Sequence, residues 1–170
     1  MNKLIALIAA IFLFASCQAA PQGALGRFYS KYRSDTAVEQ IHLPKLLLRI
    51  FANDPDIRKV LRYMKSVRLF TAGGTDSRRT AIGQDFARAM EQDGYEDALQ
   101  ISQDGEQIHI RIREDGEMIR SVVISISNKE ELVLLHAGTQ ITYEQLSRML
   151  DYIQTDKGKS GLKQVAGGKS

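Results

Sequence analysis

The 170-residue chain contains one cysteine, three prolines and no tryptophan. A single cysteine excludes an intramolecular disulfide framework and a cysteine-rich metal site. Long apolar runs are equally scarce. The longest, residues 4–14, is 11 residues and cannot cross a bilayer as a helix, which takes roughly 20. With 44% apolar and 25% charged residues the chain is neither a multi-span membrane protein nor intrinsically disordered, and its length allows one domain of ordinary size.

That short apolar run has a role of its own. Lys3 precedes it, and the small residues Ala15 and Ser16 follow it, ahead of Cys17. This is the layout of a secretory signal peptide. The stretch Leu13-Phe14-Ala15-Ser16-Cys17 resembles the bacterial lipoprotein box, in which the cysteine thiol receives the lipid, although Phe14 stands where an aliphatic residue is commoner. The expected organisation is a signal peptide over 1–16, a lipidated flexible tether over 17–26, one domain over 27–155 and a disordered basic tail over 156–170. Cleavage after Ala19 or Ala20 by the ordinary signal peptidase is the alternative. Either route exports the protein, the second by simple secretion. Lipidation at Cys17 would hold it at the membrane, on the periplasmic side, because no acidic run after the cysteine signals surface export.

The basic balance, 23 Lys and Arg against 20 Asp and Glu with a pI near 9.0, belongs to the ends. Residues 17–155 carry 18 basic and 19 acidic groups. Within them, residues 27–79 hold 12 basic and five acidic side chains, whereas 80–155 hold six and 14. On a helix expected after Pro55, Arg58, Arg62 and Lys65 recur at helical spacing, a basic patch suited to a membrane or partner surface. Internal complementarity between the two halves explains the same bipolarity without any partner.

Periodicity predicts the order β-α-α-β-α-β-β-β-β-α. A strand over 37–43 leads to a helix opened by Pro44; Asp54-Pro55 starts a second helix with Ile57, Val60, Leu61 and Met64 on its inner face; a strand over 67–71 follows. A helix over 76–92 turns Ile82, Phe86, Ala89 and Met90 inward and ends before Gly94. Asp104-Gly105, Asp115-Gly116 and the turn over 128–131 divide four strands of an antiparallel meander. Of these, 132–137 is almost continuously apolar, as in a central strand. Thr142 and Gln145 form a capping box for the last helix, with Ile141 stapled onto Leu146. The expected fold is α+β, one antiparallel-rich sheet of about six strands with helices mainly on one face.

Several of these punctuation marks occur together in one family. Phe28-Tyr29-Ser30-Lys31-Tyr32, Leu43-Pro44-Lys45-Leu46-Leu47, the Asp54-Pro55 break and Gly94-Tyr95-Glu96, behind a leader with a late cysteine, make the chain resemble the small bacterial envelope lipoproteins grouped as domain of unknown function 4252. The resemblance runs from about residue 27 to 150. It implies an envelope location and a compact α+β domain, and brings no activity with it.

The residues themselves offer no catalytic signature. His42, His109 and His136 fall on separate strands without metal-ligand spacing, so no metal site is expected; His136 reads as a hydrogen-bonded core histidine and His109 as solvent-exposed beside Arg111 and Arg113. No nucleophile elbow or phosphate loop occurs, and Ser121, Ser125 and Ser127 alternate as outward residues of a strand. Gly73-Gly74-Thr75 reads as a helix-capping turn. No catalytic residue and no cofactor is therefore assigned, and nucleic acid is not an expected partner. The expectation is a non-catalytic interaction or sensing module meeting an envelope partner. The alternative is a small hydrolase whose site is assembled only in the fold.

Overall fold

A computed structural model describes residues 23–44, 62–103 and 105–154. Its centre is a six-stranded antiparallel sheet in the order β1-β2-β6-β5-β4-β3, formed by β1 (Val38–Pro44), β2 (Met64–Ala72), β3 (Glu96–Gln103), β4 (Glu106–Asp115), β5 (Met118–Ser127) and β6 (Leu132–Ile141). Three helices are described: α1 (Ala24–Lys31), α2 (Asp76–Gln92) and α3 (Tyr143–Gln154).

Strand alternation sorts the sheet into two apolar faces. On one, Val67 and Leu69 of β2, Ile110 and Ile112 of β4, Ile124 of β5 and Val133 of β6 pack under Leu146 and Met149 of α3. On the other, Phe70, Val123, Leu132 and Leu134 lie beneath Leu25 and Phe28 of α1 and Ile82, Phe86 and Met90 of α2. Two of the three described helices thus share a face. Phe28 is the hub there, with ring centroids 5.0 to 5.4 Å from Tyr29, Tyr32, Phe70 and Phe86.

Local signals explain the second half well. Thr75 caps α2 by accepting from the Arg78 amide at 3.3 Å, and Gly94 takes φ 72° just past the helix end. Gly105 and Gly116 adopt the positive φ that their hairpins need. In the capping box of α3, the Thr142 amide donates to Gln145 Oε1 at 2.9 Å and the Gln145 amide to Thr142 Oγ1 at 3.3 Å. The apolar run at 132 becomes β6, paired on both sides by β2 and β5.

The first half departs from the periodicity at three places. Helix α1 begins at Ala24, inside the stretch expected to be a tether as far as residue 26, because Ala24 and Leu25 are buried and Asp93 receives their amides. Pro44, expected as the first residue of a helix, is the last residue of β1, opposite Ser66; a proline without an amide is tolerated at the end of an edge strand. Met64 and Lys65, assigned by spacing to a helix, belong to β2, where sheet pairing with β6 overrides the local pattern. The remainder of the two helices expected over 44–65, the signal peptide, Cys17, Arg58 and the basic tail lie outside the described residues.

Candidate functional site

Both chemically interesting features lie on the α1/α2 face. Helix α2 leaves the end of β2 and crosses the sheet to reach β3 at the far edge. It presents the small residues Thr80, Gly83 and Ala87 toward the polar alternation of β4 and β5, Gln107, His109, Arg111, Ser125 and Ser127. These side chains are too small to fill the gap, and a cleft of about 310 Å³ remains, near the lower end of ligand-site volumes. Asp76, Glu131 and Asn128 complete its polar rim, with Phe86, Leu132 and Leu134 as an apolar floor. Arg79, 9% exposed, fastens the rim by donating to the Gly74 and Lys129 carbonyls and to Asp76 Oδ1 at 3.2 Å. Arg111 is held by Asp97 at 2.5 Å.

The second feature surrounds His136. The Tyr95 hydroxyl donates to Ser121 Oγ at 2.8 Å, and Nε2 of His136 lies 2.9 Å from Ser121 Oγ and 3.2 Å from the Tyr95 hydroxyl. Tyr29 stacks on the imidazole at 5.9 Å and 14°, while Tyr95 meets its edge at 6.3 Å. Burial, then the nearby Arg68 and Arg113 charges, depress the imidazole pKa to about 4. The ring is therefore neutral at physiological pH, as a hydrogen-bonded core histidine should be.

The Ser121–His136 spacing lies within the range of a nucleophile and its base, yet the surroundings oppose that chemistry. Ser121 is 2% exposed, so no substrate carbonyl reaches its oxygen. Tyr95 occupies the same imidazole nitrogen, and a base with a pKa near 4 abstracts a proton poorly at neutral pH. Among the described residues no carboxylate hydrogen-bonds His136.

Of the basic patch, Arg62 is exposed in the turn before β2, where it donates to the Tyr63 hydroxyl at 3.1 Å, and Lys65 is exposed on β2 itself. The helical spacing that grouped them with Arg58 does not extend to Lys65. His42 is exposed on the edge strand β1. His109, read from sequence as solvent-facing, is half-covered in the cleft, and Ser121, read as outward, is sealed. The missed signal was that a polar face of a strand can be roofed by a helix bearing small residues. No group of His, Cys, Asp and Glu suited to a metal ion occurs among the described residues.

The sheet and its helices define an α+β domain with a polar cleft between helix and sheet. The profile of the family described as Domain of unknown function (DUF4252) matches residues 32–149, most of this fold, and the chain belongs to that family. No curated protein matches the chain.

Proposed function

We propose that the chain is an exported bacterial envelope lipoprotein, held at the membrane through Cys17, whose domain is a non-catalytic binding module. The observation that carries the non-catalytic part is the sealing of Ser121, whose oxygen lies 2.9 Å from His136, beside an open polar cleft in which the Ser125 hydroxyl donates at 3.4 Å to the backbone carbonyl of His109 rather than to its ring. The leader and its late cysteine support the anchor. Five residues separate Cys17 from Gly23, six steps along the chain, so a lipid at Cys17 keeps Gly23, just before α1, within about 21 Å of the membrane. Arg62 and Lys65, both exposed, with Arg58 in the same basic half, supply charge for anionic headgroups or an acidic envelope partner.

Three measurements test this reading. After cell fractionation, the parent chain should sediment with membranes and Cys17→Ala should be released; equal partitioning of the two overturns the anchor. A serine-directed fluorophosphonate should leave Ser121 unmodified in the folded protein. Stoichiometric labelling there overturns the non-catalytic reading and favours the hydrolase alternative. Charge reversal at Arg58, Arg62 and Lys65 should weaken liposome association of the unlipidated domain, and unchanged association removes the basic patch from the account.

A further inference from the structure

Under α2 the fold forgoes packing. Two rows of paired residues cross this face of the sheet: Ala72, Leu132, Ser127 and Gln107 in one, Phe70, Leu134, Ser125 and His109 in the other. Each row is apolar and buried on β2 and β6 and turns polar on β5 and β4. Residues paired in this way share a face, so the polar ends of both rows lie beneath Thr80, Gly83 and Ala87 of α2 and line one cleft with them. Small side chains above and hydrogen-bonding side chains below leave about 310 Å³ unfilled, where apolar residues of ordinary core size would close the gap.

The fold makes little use of the polar atoms it places there. The two guanidiniums on the wall are engaged, Arg79 by Asp76 and two carbonyls and Arg111 by Asp97. Among the described residues no hydrogen bond or ion pair engages the side chains of Gln107, Ser127 or Glu131. Asn128 Oδ1 accepts from the amides of Glu130 and Glu131 at 2.8 and 2.9 Å, which leaves its Nδ2 to donate. The free groups are mixed in kind: Gln107 and Ser127 both donate and accept, Asn128 donates and Glu131 accepts. The charges on the wall cancel, with the carboxylates of Asp76 and Glu131 set against Arg79 and Arg111.

Those two properties select a ligand. An anion needs donors and meets Asp76 and Glu131; a cation needs acceptors and meets Arg79 and Arg111. The whole set is answered by a neutral molecule that donates and accepts at several closely spaced atoms, as the hydroxyls of a sugar do. The apolar floor of Phe86, Leu132 and Leu134 takes the C–H face of a pyranose ring. We propose that the cleft binds a neutral carbohydrate of one or two pyranose rings, whose hydroxyls are met by Gln107, Ser127, Asn128 and Glu131. This rests on the reading of the domain as a binding module and supplies the class of its ligand.

Titration of the full chain with maltose, cellobiose and N,N′-diacetylchitobiose, in micelles of a detergent without a sugar headgroup, tests the site through the imidazole resonances of His109 and the side-chain amide of Gln107. At least one of the three sugars should give a saturable change. Gln107→Ala and Glu131→Gln should each weaken binding by at least about fivefold with the circular dichroism spectrum unchanged. Ala87→Leu, which fills the cleft from α2 and removes no polar group, should abolish binding while thermal unfolding stays cooperative. No saturable change with any of the three sugars overturns the proposal, as does an equal response to glycerol or inorganic phosphate, or binding that survives both Gln107→Ala and Ala87→Leu. Cleavage of a bound disaccharide, followed through its anomeric protons, would uphold the ligand class and overturn the non-catalytic reading instead.

Discussion

Asp93→Ala should loosen α1 from the domain, and the size of the effect follows from two bonds. Asp93 lies just past α2 and accepts the first two amides of α1, those of Ala24 and Leu25, across nearly seventy residues of sequence. Gly23, which carries no side-chain cap of its own, precedes them. Two charge-assisted bonds set an upper figure of about 4 kcal/mol, and release of the amides toward water at the exposed Gly23 reduces the expected loss to about 2 kcal/mol. For a domain of this size that corresponds to a fall in Tm of roughly 8 °C. Asp93→Asn, which keeps one acceptor oxygen without the charge, should lose about half as much. A built Cβ on Gly23 stands 2.7 Å from Asp93 Oδ2, so Gly23→Ala displaces the same carboxylate by a different route. The two substitutions should therefore be non-additive, the double variant being little worse than Asp93→Ala alone. Urea unfolding followed by far-ultraviolet circular dichroism measures all four. A loss below about 0.5 kcal/mol for Asp93→Ala, or full additivity with Gly23→Ala, would refute the capping argument.

Three further predictions concern the same face. The imidazole of His136 is held at about 4 against roughly 6.5 in an unfolded chain, so the unfolded state takes up the proton first as pH falls. Stability should decline between about pH 6.5 and pH 4 by up to about 3 kcal/mol and level off below, and His136→Gln should flatten that limb in pH-dependent urea melts. Asp85 is held well below the ordinary carboxylate range by hydrogen bonds from Lys31 and then Tyr32, with Arg88 adding to them. Its contribution is complete above about pH 4 and lost in stronger acid, so Asp85→Asn should alter only the part of the same profile below pH 4. Gly83 lies within α2 with its built Cβ at an ordinary 3.7 Å from Leu132 Cδ2, so Gly83→Ala should stabilise the fold by about 0.5–1 kcal/mol in calorimetry; a destabilisation would show that the cleft wall is tighter than the geometry implies.

The second half of the fold was legible in the sequence because its signals are local. Thr75, Gly94, Gly105, Gly116 and the Thr142–Gln145 box each act within a few residues of themselves. The first half depends on distant partners. Nothing near Ala24 announces a helix, since its cap is Asp93, and Met64 and Lys65 read as helical until β6 pairs with Met64 and Ser66 and takes Lys65 into the strand as a bulge between them. The site was hidden for a similar reason. Period-two alternation gives the face a residue occupies, but whether that face meets water or a helix depends on where α2 crosses. Thr80, Gly83 and Ala87 lie far in sequence from Gln107 and Ser127, and only that crossing brings them onto one cleft. His136, by contrast, sat in an apolar run, and that alone marked it as a core residue.

The proposed role as a membrane-held module turns on Cys17. Intact-mass analysis of the protein extracted from bacterial membranes measures its state directly. The account predicts a chain beginning at Cys17 and carrying the added mass of a diacylglyceryl group, absent from Cys17→Ala. A mature chain beginning at Pro21 or Ala20, or an unmodified Cys17, would contradict it.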